Sequence, residues 1–402
     1  MRKNPDPGMR EFVAMVAAIM ALNALGIDIM LPALPAIAES LRVSDPNRTQ
    51  LLISVYMLGF GFTQIVYGPL ADRYGRKPIL VVSVTLYALL SLVASFAASF
   101  TLLLAARLTQ GMAGAAGRVL STSIVRDRYA GADMARIMSL SFMVFLTVPI
   151  VAPTVGQFVV LYGPWRWIFH LMTAMGLMLA IWLAFRLPET LDPANRRPIS
   201  VETIVDAVRE TLTTRRSIGF ALSSTAMFGA LMGYINSCAQ IFGDAFRAPE
   251  MLAPCFAIIS LGLAVAAFSN SRLVARFGSV GLSFGALALM IVVSLLHLGW
   301  TLLGLETLTS FVLFQFLTMF CVGFAGPNLG ALAMEPVGHI AGTASSVQGT
   351  ISTVGAALIG LLIGQHFDGT VIPVILGTIG CSVAALLLVL VARKKPADRA
   401  VR

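Results

Sequence analysis

Charged residues are scarce in this sequence. Asp, Glu, Lys and Arg make up 12% of its 402 residues, about half of the roughly 25% that soluble domains carry. Hydrophobic residues make up 57%, and the mean hydropathy is +0.86. A soluble fold of this composition would have too few polar side chains to cover its surface. The composition therefore excludes a soluble protein and predicts a chain that crosses a membrane several times.

Residue sets for catalysis or metal binding are also missing. The histidines form no H-x-x-x-H pair, and the sequence has no G-x-x-x-x-G-K-[ST] phosphate loop. The cysteines lie in apolar stretches without the spacing of metal ligands or of a disulfide framework: Cys238, Cys255, Cys321 and Cys381. We therefore expect no enzyme, no metal site and no cofactor, and uphill transport would use an ion gradient such as that of protons.

The net charge of +9 would suit a nucleic-acid-binding protein, but the positions of the cations argue against one. Most Lys and Arg residues fall between apolar runs or near the chain ends, as they do in membrane proteins. The first apolar run is too long for the hydrophobic part of a signal peptide and contains Asn23 and Asp28. We interpret it as a retained span.

Apolar runs of about 20 residues, the length that crosses the hydrocarbon, predict an all-α membrane protein with twelve spans. The predicted spans are 12–35, 49–71, 78–98, 100–124, 136–162, 165–187, 217–242, 252–271, 279–300, 305–329, 340–365 and 370–392. Two six-helix bundles, 1–188 and 217–402, are expected on either side of a cytoplasmic linker, 189–216. A short amphipathic helix at about 200–213 would lie on the membrane surface.

The distribution of cations predicts the orientation. With the N-terminus inside, four arginines fall outside: Arg42, Arg48, Arg166 and Arg247. Arg107 and Arg118 lie within a span, and every other Lys and Arg falls on the inner side. This asymmetry predicts that both termini are cytoplasmic.

The densest cluster of charge lies between the second and third spans, in Gly68-Pro69-Leu70-Ala71-Asp72-Arg73-Tyr74-Gly75-Arg76-Lys77-Pro78. Gly75 can take a positive φ, and Gly68 lets helices approach closely. A solvated positive-inside loop would account for the cations alone. The order of residues, however, resembles the G-x-L-a-D-r-x-G-r-k signature of the major facilitator superfamily. That resemblance implies two pseudo-symmetric six-helix halves.

A weaker copy of this signature, Arg272-Leu273-Val274-Ala275-Arg276-Phe277-Gly278, follows the eighth span. Internal symmetry of this kind is typical of transporters whose substrate site lies between two repeats near the midplane. By the resemblance, the motif aspartate engages the other half near the start of the eleventh span. The resemblance thus implies a conformational latch made of Gly68, Asp72, Arg73, Gly75 and Arg76.

Asp28 is an acid inside the first predicted span. A carboxylate at the bilayer centre costs about 2.5–3.5 kcal/mol on insertion scales, so Asp28 is expected to face the bundle interior and to carry protons. Alternatively, Pro32 and Pro35 end the helix early and leave Asp28 solvated near the outer surface. Arg107 in the fourth span falls at a similar depth. It would stabilise the ionised acid, either for proton coupling or as a structural pair.

The fourth span strengthens the first of these interpretations. Arg107-Leu108-Thr109-Gln110-Gly111-Met112-Ala113-Gly114-Ala115 resembles the R-x-x-q-G-x-g-a motif of proton-coupled facilitators, in which the arginine is tied to proton coupling. Arg118 lies near the cytoplasmic end of the same span. Its side chain either snorkels to the interface or takes part in the latch with Asp72.

The fifth span contains Pro149-Ile150-Val151-Ala152-Pro153-Thr154-Val155-Gly156-Gln157. Pro149, Pro153 and Gly156 would bend the helix and let a neighbour approach. The pattern is similar to the g-x-x-x-G-P-x-x-G-G antiporter motif of superfamily exporters, with Ala152 and Gln157 in place of two glycines. The resemblance implies an exporter.

Further polar side chains within the spans are candidates for the substrate site: Asn23, Tyr56, Gln64, Tyr234, Asn236, Gln240, Gln315 and Gln348. Each could instead make a helix–helix hydrogen bond, worth about 0.6 kcal/mol on average. The 24 Phe and 19 Met residues could likewise serve ordinary packing or line a deformable drug cavity.

Three segments narrow the resemblance to twelve-span drug:proton antiporters of the Bcr/CflA type: 28–35, 123–127 and 342–346. This resemblance implies a monomeric multidrug efflux transporter of the bacterial inner membrane, surrounded by lipid. It would exchange protons for small amphipathic drugs such as chloramphenicol or bicyclomycin. The alternative on the same fold is an exporter of a metabolite, such as a sugar, nucleoside or sulfur compound. A sensor would need a sizeable soluble domain, and a uniporter or channel would need no buried acid.

Overall fold

The computed structural model describes residues 7–196 and 201–393, and nearly all of these residues are helical. The α-helices are α1 (Met9–Asp28), α2 (Leu34–Ser40), α3 (Leu51–Tyr74), α4 (Arg76–Ser95), α5 (Phe100–Arg128), α6 (Gly131–Tyr162), α7 (Arg166–Arg186), α8 (Val201–Thr213), α9 (Arg215–Gln240), α10 (Leu252–Leu302), α11 (Leu308–Met334), α12 (Ala341–Gln365) and α13 (Ile372–Arg393). The chain ends and 197–200, which the sequence analysis assigned to the termini and the linker, lie outside the described residues.

Short helical turns connect several of these helices. They are the 3₁₀ segments Leu31–Ala33, Pro46–Gln50, Pro193–Asn195, Pro249–Met251 and Glu335–Ile340, and the π-helical turn Ile241–Ala245. Leu31–Ala33 separates α1 from α2, so the predicted first span, 12–35, is not one continuous helix. The α-helical hydrogen bonding ends at Asp28, because Pro32 and Pro35 cannot donate to the preceding turn.

Within the described residues, eight stretches are long and apolar enough to cross a membrane. Two of them are long enough for two crossings each. The first, Pro249–Leu302, contains α10, which has 51 residues and is divided by Gly278 in a non-helical conformation. The second, Leu308–Gln365, contains α11 and α12. With α5 and α6, of 29 and 32 residues, the helices account for the predicted twelve-span all-α fold.

The helices before α8 and those after it pack in the same pattern. In the first half α1 contacts α6, α3 contacts α5, and α4 contacts α7; in the second half α9 contacts α12, α10 contacts α11, and α10 contacts α13. Between the halves, α3 contacts α12 and α6 contacts α10. Counting α10 as two segments and α1 with α2 as one span, each span has a counterpart in the other half, which is the pseudo-symmetry that the weak repeat of the charged signature predicts.

The two copies of the signature also turn the chain in the same way. Gly75 ends α3 with φ 102°, and Gly278 divides α10 with φ 69°. In both places the chain reverses from one span into the next through a conformation that side chains with a Cβ rarely adopt. The positive φ predicted for Gly75 is confirmed, and the degenerate copy keeps the same device.

The molecule has two ends, which we name by what lies there. The linker end holds α8, the signature, and the first and last residues that the structure describes. The distal end holds Pro46–Gln50 and Pro249–Met251. Between the two ends the outer surface is apolar, with exposed side chains such as Leu86 and Val93 on α4 and Val292 and Leu296 on α10. An apolar belt of this kind suits contact with lipid.

The linker helix α8 packs against α9, α12 and the Glu335–Ile340 turn. Ala207 and Thr211 are buried in this contact, and Glu210 lies 2.8 Å from His339 Nε2. The amphipathic helix predicted at about 200–213 is therefore present, and it contacts the second half as well as presenting exposed apolar side chains such as Val205.

Candidate functional site

A fully buried arginine lies at the centre of the first half. Arg107, on α5, donates from Nη2 to the Gly26 carbonyl oxygen on α1 at 2.8 Å and from Nε to the Leu52 carbonyl oxygen on α3 at 3.2 Å. Its Nη1 donates to Gln110 Oε1 at 2.6 Å. One guanidinium thus joins three helices, and each of its nitrogens has an acceptor, which a buried charge requires.

Neighbouring side chains extend this network. The Arg107 guanidinium lies over the ring of Tyr56, 4.2 Å from its centroid, in a cation–π contact. Gln110 Nε2 donates to Ser91 Oγ at 2.6 Å, and Ser91 donates to the Tyr87 carbonyl oxygen. The network therefore reaches α4 as well.

Glycines bring the three helices close enough for these bonds. A Cβ built at Gly111 would collide with the Tyr56 carbonyl oxygen, and one at Gly26 would lie 2.6 Å from the Tyr87 hydroxyl. A Cβ at Gly114 would lie 2.8 Å from Asn23 Oδ1. The glycines of the fourth-span motif therefore permit the close packing of α5 on α1 and α3.

Asp28 ends α1 two residues after the carbonyl that Arg107 binds. Its side chain is only 5% exposed, so it is not in the solvated position that the alternative interpretation gave it. Among the described residues it has no hydrogen-bond or salt-bridge partner, and Arg107 bonds to Gly26 rather than to it. The structure thus brings the Arg107 guanidinium to the chain two residues before Asp28 but does not join the two side chains in this conformation.

The antiporter-like segment packs directly against this acid's neighbour. A Cβ at Gly156 on α6 would collide with the carbonyl oxygen of Ile29, the residue after Asp28. Ala152 is fully buried on the same helix, which continues through Pro149 and Pro153. Gly156 therefore lets α6 touch the chain where α1 ends.

Gln157, which departs from the antiporter pattern, joins the two halves. Its Nε2 donates to the Glu250 carbonyl oxygen at 2.9 Å, and its Oε1 accepts from the Ala253 amide at 3.3 Å. The sequence analysis noted this residue only as a replacement for a glycine of the motif. In the structure it is a contact at the distal end.

A second set of amides closes the distal end between the halves. Gln50 donates to Gln240 Oε1 and to the Gly364 carbonyl oxygen, and Gln240 donates to Asn47 Oδ1. Asn47 Nδ2 bonds to the Gln365 carbonyl oxygen at 3.2 Å, and Gln365 Nε2 bonds back to the Asn47 carbonyl oxygen at 2.6 Å. We call Asn47, Gln50, Gln240 and Gln365 the distal gate.

The eight polar side chains predicted for a substrate site do not form one group. Asn23 and Tyr56 belong to the Arg107 region. Three others meet the opposite half or the gate: Asn236 donates to Ser54 Oγ at 3.1 Å, Gln64 donates to Thr353 Oγ1 at 3.0 Å, and Gln240 is in the gate. Those three thus make the helix–helix bonds that the sequence analysis left as the alternative.

The remaining three candidates lie within the second half. Gln348 donates to Ser217 Oγ and to the Ala333 carbonyl oxygen, so it ties α12 to α9 and α11. Gln315 is buried. Tyr234 is also buried and stacks with Phe256 at 5.8 Å between ring centroids.

The signature residues form an ion-pair chain within the first half. Arg76, 5% exposed, lies 2.6 Å from Asp72 and 3.1 Å from Asp127 on α5. In this conformation the aspartate predicted to engage the second half therefore pairs with its own motif. Arg73 lies over the ring of Tyr74.

Two predicted latch residues show other contacts. A Cβ at Gly68 would lie 3.8 Å from Ser346 Oγ on α12, an ordinary contact distance, so this glycine faces the other half without being required by tight packing. Arg118 is exposed. It follows Arg107 by eleven residues, about three helical turns, and therefore lies on the same face of α5. Its side chain has not been withdrawn into a pair with Asp72.

Glu189 is a residue of this region that the sequence analysis left in the linker without a role. Its carboxylate accepts from the backbone amides of Arg76 at 2.9 Å and Lys77 at 3.3 Å, the first residues of α4. It also accepts from the amides of Thr190 and Leu191, each at 3.0 Å. A carboxylate at a helix N-terminus is favourable, and this one ties the start of the linker to the signature turn.

The sequence analysis also missed a largely buried histidine–carboxylate pair at the distal end of the second half. His297 Nε2 lies 3.3 Å from Glu306, which also accepts from Thr301 and Ser310. Burial acts to raise the pKa of Glu306, but the hydrogen bonds from His297, Thr301 and Ser310 outweigh it and the pKa is lowered. Nine residues separate the partners, and only the turn between α10 and α11 brings them together.

The sequence model of the protein family called Major Facilitator Superfamily matches residues 16–360, which is most of the chain. The chain belongs to this superfamily. It is therefore a multi-pass membrane transporter and not an enzyme.

Curated relatives resemble the transporter over nearly its whole length. It is 30% identical to the uncharacterised transporter YdgK of Bacillus subtilis, with 93% of each chain covered. It is 28% identical to a bicyclomycin resistance protein homologue of Haemophilus influenzae, with 94% of each chain covered. It is 29% identical to the multidrug resistance protein MdtL of Salmonella heidelberg, with 95% of each covered. The names of the second and third relatives agree with the Bcr/CflA type that the sequence resembles.

Two solved structures share the transporter's fold. The human organic anion transporter MFSD10 superposes with a TM-score of 0.72 at 20% identity, over 96% of this chain and 100% of the other. A D-xylose–proton symporter superposes with a TM-score of 0.74 at 14% identity, over 95% and 97%. At these identities the likeness concerns the fold alone.

The distal gate predicts how the transporter's conformation can be shifted. The double variant Gln50→Ala/Gln240→Ala removes bonds that exist only when the distal end is closed. We expect a loss of about 1–2 kcal/mol for the closed state, since a net hydrogen bond contributes about 0.5–1.5 kcal/mol. The fraction of molecules open at the distal end should rise about 5–30-fold, as read from the distance between spin labels at Glu39→Cys and Glu250→Cys.

The control for the gate is Gln348→Ala, which also removes a glutamine but one bonded only within the second half. It should leave the distance distribution unchanged. An unchanged distribution in the gate variant itself would show that these amides do not hold the distal end closed.

Glu189 predicts a stability effect. Glu189→Ala leaves four backbone amides without their acceptor, so the free energy of unfolding in detergent should fall by about 1–3 kcal/mol. Glu189→Gln keeps one acceptor oxygen, so its free energy of unfolding should lie between those of Glu189→Ala and the parent. Glu202→Ala, an exposed acid on α8, is the matched control. Equal unfolding midpoints for Glu189→Ala and Glu202→Ala, followed by circular dichroism, would contradict this role.

Proposed function

We propose that this transporter exports small amphipathic drugs, of the chloramphenicol or bicyclomycin kind, in exchange for protons. The linker end would face the cytoplasm of a bacterial cell, with both termini there, because most of the cations lie at that end. The protein would work as a monomer in the inner membrane and use the proton gradient as its energy source. The coupling groups would be Asp28 and Arg107.

The buried, unpartnered carboxylate of Asp28 is the observation that carries the proton-coupling part. An ionised carboxylate in this position would be costly without a cation or hydrogen-bond donors. Arg107 is a buried cation whose guanidinium is bonded to a carbonyl two residues before the acid. A proton on Asp28 therefore suits the conformation described, and loss of that proton would attract the guanidinium.

The end of α1 at Asp28 gives this exchange a mechanical consequence. To bind the ionised acid, Arg107 must weaken its bond to the Gly26 carbonyl oxygen, which fixes the last turn of the helix. The segment after Asp28 is held by α6 at Gly156 and continues into α2. A change of charge at Asp28 would therefore move the end of α1 against α6, and α6 contacts the second half through Gln157.

The distal gate fits one state of an alternating-access cycle. With the linker end in the cytoplasm, the hydrogen-bonded distal end is closed toward the outside. The signature aspartate, bonded within its own half, is then free to engage the second half in the opposite state. Asp72 and Arg76 would act as a latch between these states, as the superfamily resemblance implies.

The substrate part of the proposal is supported by the names of the relatives. Proteins called bicyclomycin resistance homologue and multidrug resistance protein cover nearly all of this chain. The alternative is export of a metabolite, such as a sugar, nucleoside or sulfur compound, through the same fold. Drug tolerance of a strain that expresses the protein separates the two, because a metabolite exporter should barely change it.

The proton coupling is tested in proteoliposomes that hold the purified transporter and a pH-sensitive dye. Addition of chloramphenicol or another drug from a panel should drive proton movement in the parent. Asp28→Asn, which keeps the side-chain shape but cannot ionise, should reduce this movement at least tenfold. Asp28→Glu should retain part of it, because it keeps the carboxylate.

The matched control is Asp244→Asn, which removes an exposed acid at the distal end. It should leave drug-driven proton movement intact. Full activity in Asp28→Asn would exclude Asp28 as the coupling acid while leaving the exporter function in place. Proton movement with none of the drugs in the parent would instead favour the metabolite exporter.

A further inference from the structure

An apolar groove lies on the outer surface of the second half, away from the Arg107 region. It has a volume of about 410 Å³ and is bordered by α10, on both sides of Gly278, and by α11. This volume falls within the range of small-molecule sites, about 300–1,000 Å³. Phe320, Cys321 and Phe324 of α11 are among its lining residues.

Glycines make the α10 side of this groove deep. Gly281 and Gly285 line it one helical turn apart, and a Cβ built at either would meet no atom within 4 Å. Both are exposed, as are the lining residues Phe277 and Leu289. The groove is therefore open on the side that faces lipid.

Two arginines directly precede the lining residues Leu273 and Phe277 at the linker end of the groove. Arg276 directly precedes Phe277, and its guanidinium lies 5.3 Å from the centroid of that ring, which lines the groove. Arg272, one turn earlier, lies over Phe268 at 4.2 Å. Both side chains are exposed, and neither has an acidic partner within the described part of the chain.

The first copy of the signature contains an acid that the second copy lacks. There Arg76 is buried and its charge is balanced by Asp72 and Asp127. In the second copy Ala275 occupies the place of Asp72, and no acid of the described residues pairs with Arg272 or Arg276. Arg276 occupies the place of Arg73, and each of these arginines lies over the ring of the next residue. Positive charge without a protein partner, next to an empty apolar surface, is complementary to an anion that carries a long apolar chain.

We propose that this groove binds one anionic phospholipid. An acyl chain lies along Gly281 and Gly285, and the phosphate contacts the guanidinium groups of Arg272 and Arg276. Arginine binds phosphate through paired N–H donors, and basic pockets between membrane helices bind lipid head groups in this way. The missing acid of the degenerate signature is thereby supplied by the lipid.

Charge also distinguishes this occupant from a second copy of the chain. A symmetric dimer through Gly281 and Gly285 would place the same surface on both partners. The uncompensated arginines of the two copies would then face each other without an acid between them. An uncharged drug would leave them unpaired as well.

Native mass spectrometry of the full chain in detergent tests the proposal. Dioleoyl-phosphatidylglycerol and dioleoyl-phosphatidylcholine, which share acyl chains and differ in charge, are the probes. The parent should retain one phosphatidylglycerol with at least tenfold higher apparent affinity than phosphatidylcholine. Glycerol 3-phosphate, the head group without chains, should not displace it.

Two double variants test the two parts of the site separately. Arg272→Gln/Arg276→Gln should remove the preference for phosphatidylglycerol, and Gly281→Leu/Gly285→Leu, which fills the groove without changing charge, should remove retention of either lipid. Arg10→Gln/Arg136→Gln, a matched loss of two exposed cations at the linker end, should behave as the parent.

Three results would overturn the proposal. One is equal affinity of the parent for the two lipids. Another is undiminished phosphatidylglycerol binding in Gly281→Leu/Gly285→Leu. The third is a parent dimer that this variant converts to a monomer, which would make a second copy the occupant.

Discussion

The burial of one guanidinium constrains the first half of this transporter more than any other interaction. Arg107 is fully buried and satisfied by carbonyl and amide oxygens, without a carboxylate among the described residues. Removing an acceptor from such a group costs several kcal/mol, so α1 and α3 must keep their carbonyls within reach of α5. The glycines at 26 and 111 serve that distance. Asp28 follows two residues after the Gly26 carbonyl that Arg107 binds, and in our proposal it is the acid that competes for this cation.

The sequence predicted the features that depend on local pattern. Hydropathy predicted the twelve spans, and the signature predicted the turn at Gly75. The acid and the arginine inside spans are buried, and their role in proton coupling stays a prediction. The two prolines after Asp28 do end the helix, but Asp28 remains buried, next to the point where α6 packs against Ile29 at Gly156.

Features made by backbone partners or by tertiary contact could not be predicted in this way. The acceptors of Arg107 on α1 and α3 are carbonyl oxygens, which every residue has and which leave no mark in a sequence. Glu189 acts through four backbone amides, and Gln157 acts through backbone groups of the other half. The candidate substrate residues were chosen for polarity alone, and polarity does not separate a ligand contact from a helix–helix bond such as that of Gln348.

Infrared spectroscopy tests the central claim, that the proton of the coupling cycle resides on Asp28, most directly. The difference spectrum of the purified transporter on addition of a transported drug reports any carboxylic acid that gains or loses a proton, through its C=O stretch. We predict a protonated-carboxyl band that is lost when the drug binds and that is missing from Asp28→Asn. The same band in Asp28→Asn, or drug-driven proton release in the parent without a carboxyl signal, would contradict the account.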